Sequence, residues 1–122
     1  MKYIIIIITL FFTVSCKSQN SKQTTKVNIE FLQKEVIGKD VQLVDVRTAK
    51  EYNAGHIDDA INIDITDKGN FKKEISKLDK SKPIYIYCHM GGRSNRASKV
   101  LTTEGFKEIY DFSGGWNAWN KQ

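Results

Sequence analysis

The order of elements in this sequence predicts an α/β fold with a mainly parallel sheet and helices on both faces. Short β-rich runs alternate with segments of helical spacing along the chain. The clearest strand, Ile84-Tyr85-Ile86-Tyr87, is followed by a glycine-containing loop and an amphipathic segment. That is the strand-to-helix order of parallel sheets. No internal repeat competes with this reading.

Each element has a local cause. A helix is expected over residues 27–37. Asn28 can cap it, Ile29, Leu32, Val36 and Ile37 share helical spacing, and Gly38 stops it. Residues 41–46 are a short β-rich run. Thr48 and Glu51 have capping-box spacing and open a short helix that Gly55 ends. Residues 60–65 read as a strand. Residues 70–78 place Phe71, Ile75 and Leu78 on one helical face, and Pro83 closes that region. The strand 84–87 follows, with Cys88 at its carboxyl end. Residues 94–104 form the next helix, with Ser94 as cap, Ala97, Val100 and Leu101 as apolar stripe, and Gly105 just past its end. Residues 108–112 are the last strand. Gly114-Gly115 lead into a short helix whose Trp116 and Trp119 are packing anchors.

The chain has 122 residues, of which 40% are hydrophobic and 27% charged, which suits one domain and excludes wholesale disorder. Two cysteines exclude a disulfide scaffold. The net charge of +5 comes from scattered lysines, with Arg47, Arg93 and Arg96 the only arginines. Nucleic-acid binding would need a clustered basic face, so no nucleic-acid partner is expected.

Lys2 precedes an uncharged run over residues 4–15, IIIIITLFFTVS. These 12 residues make about 18 Å of helix, too short for a hydrocarbon core of about 30 Å. A short apolar run after a positive start reads as a signal peptide, residues 1–15. Thr13-Val14-Ser15-Cys16 resembles a bacterial lipobox, with Thr13 where Leu is usual. By that resemblance Cys16 is lipidated and becomes the first residue of the mature protein. Conventional cleavage is the other reading. Residues 17–26, KSQNSKQTTK, hold no apolar residue and read as a polar tether. The expectation is a domain over residues 27–122, anchored through lipid to a bacterial cell-envelope membrane and facing the periplasm or exterior.

Ligands of open α/β sheets bind beyond the carboxyl ends of the strands. There the sequence places Cys88-His89-Met90-Gly91-Gly92-Arg93-Ser94. Loop amides can converge into an anion-binding nest, a helix N-terminus adds partial positive charge, and Arg93 adds a full one. All three favour a thiolate, so Cys88 is the expected nucleophile. Gly91 and Gly92 are expected to permit the turns that aim amides inward.

With these residues the chain resembles a single-domain rhodanese. The resemblance runs through Leu43-Val44-Asp45-Val46-Arg47, Glu51-Tyr52-Asn53-Ala54-Gly55-His56-Ile57 and Ala60-Ile61-Asn62-Ile63. It continues through Cys88-x-x-Gly91-x-Arg93-Ser94, Gly105-Phe106 and Ser113-Gly114-Gly115-Trp116-Asn117-Ala118-Trp119. Asp58-Asp59 stand where the family usually has Pro-Gly. The resemblance implies a five-stranded sheet and sulfurtransferase chemistry through a persulfide on Cys88. It further implies a substrate cradle of His89, Met90, Gly91, Gly92 and Arg93, bounded by Ser94. Related phosphatases place five residues between Cys and Arg; four lie between Cys88 and Arg93, a ring suited to sulfur rather than phosphate.

The expected donor is thiosulfate or a polysulfide, and the expected acceptor is cyanide, a small thiol or a protein. The other reading is a sulfur carrier or docking module that serves a protein partner. Neither needs a cofactor. Asp45, Arg47 and His56 are expected to support the structure, and no acidic or histidine pair has metal-ligand spacing.

Overall fold

The computed structural model describes residues 24–122. The expected signal peptide, Cys16 and most of the tether lie outside the described residues. The elements are β1 (Thr24–Val27), α1 (Ile29–Glu35), β2 (Gln42–Asp45), α2 (Ala49–Ala54), β3 (Ile61–Asn62), α3 (Lys68–Ile75), β4 (Ile84–Tyr87), α4 (Gly92–Thr103), β5 (Ile109–Phe112) and α5 (Gly115–Trp119). The five strands form one sheet in the order β1-β5-β4-β2-β3, and every pairing is parallel.

Two apolar clusters cover the two faces. Val44, Ile84, Ile86 and Ile109 pack with Phe71 and Ile75 of α3 and with Ala97 and Leu101 of α4. Leu43, Tyr87 and Phe112 pack on the other face with Leu32 of α1, Tyr52 of α2 and Trp116 of α5. This is the expected arrangement of helices on both sides of a parallel sheet, and strand alternation produces it.

Four expectations are corrected. Residues 24–26 belong to β1 and not to a tether, and the helix begins only at Ile29. β1 is an edge strand whose backbone pairs with β5 while Thr25 and Lys26 face solvent, so its sequence shows no apolar signal. The strand expected over 60–65 is only two residues, Ile61–Asn62, because Asn62 turns its amide back to the carbonyls of Asp45 and Arg47 at 3.0 and 2.8 Å. α3 starts two residues earlier than expected, with Asp67 accepting from the Asn70 amide at 3.3 Å. Ser94 does not cap α4. Gly91 takes the capping position in the left-handed conformation, with φ of 99°, and Ser94 is buried in the first turn.

Asp58, where the family usually has Pro-Gly before the alanine, adopts the left-handed region with φ of 47°. Its carboxylate accepts from the Gly38 amide at 3.0 Å, which ties this turn to the end of α1.

Candidate active site

β2 feeds α2 toward β3, and β4 feeds α4 toward β5 on the opposite face. The connections therefore diverge between β2 and β4, which opens a crevice beyond their carboxyl ends. Cys88 sits there at the end of the central strand. Its residue is 1% exposed, so the sulfur lies at the bottom of a tight loop.

The Gly91 amide donates to Cys88 Sγ at 3.0 Å, and the thiol meets Ser94 Oγ at 3.6 Å. Burial pushes the Cys88 pKa up. The Ser94 hydroxyl and the amides of Ser94, Gly91 and Met90 outweigh it and hold the thiol below its ordinary value.

The loop is clamped from behind by α5. The Trp116 amide donates to the Cys88 carbonyl at 2.8 Å and the Asn117 amide to the His89 carbonyl at 3.0 Å. With these carbonyls held outward, the following amides turn toward sulfur. Gly115 makes this approach possible. A Cβ there would stand 2.5 Å from the Cys88 carbonyl oxygen and 2.6 Å from that of His89. At Gly91, a Cβ would lie 2.9 Å from the Ser113 carbonyl oxygen. Gly92 is different: a Cβ there meets nothing within 4 Å, so only the first glycine of the pair serves the turn.

Arg93 does not stand free beside the sulfur. Its Nη1 and Nη2 donate to Glu51 Oε1 and Oε2 at 2.6 and 2.9 Å, a two-pronged ion pair across the crevice. Glu51 is itself held by the Thr48 hydroxyl at 3.0 Å, within the capping box that opens α2. The Arg93 guanidinium is the main reason the Glu51 carboxyl is lowered to about 2; burial opposes it and Thr48 adds to it. The Arg93 pKa is raised, by Glu51 first, against burial, with the Cys88 sulfur adding to the rise. Glu51 was legible only as a capping residue, because its partner lies 42 positions away in the chain.

His89 and Met90 are exposed at the rim, Met90 at 68%. Asp45 and Arg47 form a buried pair below the crevice, with Arg47 Nη2 2.6 Å from Asp45 Oδ2 and donating to the Gly55 carbonyl at 2.7 Å. The Arg47 guanidinium lies over the Trp116 ring at 5.0 Å and the Tyr87 ring at 5.8 Å, so the pair joins β2, β4 and α5. His56 stacks on Tyr52 at 3.9 Å, and its Nδ1 is 3.1 Å from the Tyr52 carbonyl. The Asp45–Arg47 contacts reach across elements, whereas those of His56, which is exposed, are with Tyr52 of α2. Clefts of about 230 and 280 Å³ lie elsewhere, lined by Asp40, Gln42 and Pro83 and by Ile65, Phe71 and Val100. Among the described residues, no group of three histidine, cysteine or acidic side chains is placed to hold a metal.

The model of the rhodanese-like domain matches residues 28–122. The chain belongs to the rhodanese-like family. Thiosulfate sulfurtransferase GlpE of Shewanella oneidensis is 35% identical over 83 residues, which cover 68% of this chain and 79% of that protein. The tRNA uridine(34) hydroxylase of Pelagibacter ubique is 34% identical over 98 residues, but these span 33% of that protein, so the likeness is to one part of it. Among solved structures, a rhodanese-like domain protein from Staphylococcus aureus superposes with a TM-score of 0.68 at 28% identity, covering 78% of this chain and 90% of that one. The matched residues begin at Asn28, the cap of α1, and run past the end of α5, with Cys88 directly after the central strand.

Proposed function

We propose that this protein moves a sulfane sulfur from thiosulfate or a polysulfide to a thiophilic acceptor through a persulfide on Cys88. One observation carries the reading: a cysteine ringed by amide and hydroxyl donors, at the carboxyl end of the central strand, in a chain related to sulfurtransferases. The Cys88 thiolate attacks the outer sulfur of thiosulfate. A new S–S bond forms, the old one breaks, and sulfite leaves with the electron pair. The enzyme then carries Cys88–S–S⁻. Cyanide or a thiolate attacks the terminal sulfur, leaving as thiocyanate or a new persulfide, and the Cys88 thiolate returns. No net oxidation occurs and no cofactor takes part. The cradle's work is electrostatic: donors fixed in place before the reaction stabilise sulfur anions without reorganising.

A second reading is a sulfur carrier or docking module for a protein acceptor. The rim favours it in one respect. Arg93 is neutralised by Glu51, and the exposed Met90 presents an apolar side chain beside the loop. Thiocyanate formation from thiosulfate and cyanide separates the two. The enzyme reading expects steady turnover that Cys88→Ser abolishes. Loading of Cys88 without turnover to cyanide or any small thiol favours the carrier.

The segment before β1 is proposed to deliver and anchor the domain at the cell envelope, on the strength of its apolar run and Cys16.

A further inference from the structure

Between α3 and α4 lies a cleft of about 280 Å³ that the chemistry at Cys88 does not use. Its floor is apolar: Ile65 and Phe71 are buried, and Val100 is half-buried against them. Its walls carry three cations, Lys68 and Lys72 from α3 and Arg96 from α4. None of these six residues belongs to the loop of residues 88–94. The volume stands near the lower end of small-molecule pockets, roughly 300 Å³.

The cations lack counter-charges. Among the described residues, Lys68 and Arg96 have no ion-pair partner, and Lys72 has only Glu104, at 3.8 Å. The acids beside Lys68 in the chain are spent on their own turns. Asp64 accepts from the Thr66 amide and hydroxyl at 2.8 and 2.7 Å, and Asp67 accepts from the Asn70 amide at 3.3 Å. Helix stability does not account for the arrangement either. Lys68 is the first residue of α3, where the helix dipole disfavours a cation, and neither α3 nor α4 has an acid in its first turn. Like charges gathered around one cleft oppose each other unless an anion joins them.

We propose that this cleft binds a small amphiphilic carboxylate, its head on Arg96 and Lys68 and its apolar chain over Phe71 and Val100. The planar Arg96 guanidinium matches a carboxylate with two parallel hydrogen bonds, and Lys68 adds a point charge. The stems of Lys68, Lys72 and Arg96 lie on apolar surface while their heads stay at the mouth, which suits a ligand with both characters. The direction of the ligand follows from charge. Past Val100 the groove continues to Thr103 and Glu104, whose carboxylate repels an anionic head. The head therefore sits at the Arg96 end and the chain runs toward Val100. Burial of that chain supplies affinity, and the cations supply selection for an acid.

The test is isothermal titration of the full chain with sodium octanoate, with acetate and octanol as controls. Acetate has the head without the chain, and octanol has the chain without the charge. One saturable octanoate site is expected, with both controls at least about tenfold weaker. Arg96→Glu and Lys68→Glu change exposed side chains and should each weaken octanoate about tenfold or more at unchanged melting temperature. Absence of a saturable site overturns the proposal. So does octanoate binding that both charge reversals leave intact, since the ligand then lies elsewhere. Acetate or octanol binding as well as octanoate overturns it too, because one half of the cleft would be idle. Should either variant not fold, the two controls decide on the wild type alone. No arm involves Cys88, so the result is independent of sulfur transfer.

Discussion

Arg93 is the residue whose meaning changed most between sequence and structure. As a string, Cys88-x4-Arg93 suggests a free cation offered to an anionic substrate. In the fold the guanidinium is spent largely on Glu51. Its removal therefore does two things: it withdraws donors from the crevice and leaves the Glu51 carboxylate unpaired there. Arg93→Ala is expected to slow thiosulfate loading about thirtyfold, the equivalent of about 2 kcal/mol. Adding Glu51→Gln should recover part of that loss, because the stray negative charge goes too. Stopped-flow loading rates of the two single variants and the double variant check this, and strictly additive losses would contradict it. Acid behaviour follows from the same pair. The Glu51 pKa is depressed to about 2 from an ordinary 4.5, so its stabilising contribution is complete above that ordinary value and is lost as pH falls through about 2. Glu51→Gln should flatten the stability profile over that window. The effect is modest, since the Glu51 side chain is 34% exposed.

At the scale of elements, the site is a loop between β4 and α4 held by the start of α5. Two glycine substitutions separate turn chemistry from mere proximity. Gly115→Ala forces a methyl into the carbonyls of Cys88 and His89 at a residue with φ of 59°. It should cost about 2 kcal/mol or more in chemical denaturation and slow loading of Cys88 as the clamp opens. Gly92→Ala adds a methyl to open space at the start of α4 and should be neutral or stabilising by about 1 kcal/mol at most. The strand 84–87, the Thr48–Glu51 box and the Cys88 loop were legible because each is a local pattern of apolar alternation, capping or glycine placement. β1 was not, since an edge strand can be polar on its exposed positions and still pair through its backbone. Ser94 looked like a cap because Ser is a common one, yet Gly91 alone can take the left-handed turn under the Ser113 carbonyl. The Glu51–Arg93 pair and the α5 clamp depend on contacts between distant segments, which no local spacing encodes.

At the scale of the whole molecule, an all-parallel sheet with divergent connections places the nucleophile at its centre, and the chain before β1 leaves from an edge strand. Among the described residues no helix is long and apolar enough to cross a membrane. The proposed attachment to the envelope rests on Cys16, and on more than one acyl chain there, since a single chain binds only marginally. Full-length protein made in a bacterium should fractionate with membranes, and Cys16→Ser should release it or block its processing. Recovery of the wild type wholly in the soluble fraction would contradict the anchor. The central claim concerns Cys88 itself, and one measurement reaches it without any acceptor: intact-mass and peptide mass spectrometry after incubation with thiosulfate. The expected result is the gain of one sulfur atom on the peptide that holds Cys88, reversed by cyanide and absent in Cys88→Ser. An unmodified Cys88 under conditions where the folded thiol is still alkylated, or the same gain of sulfur in Cys88→Ser, would contradict the account.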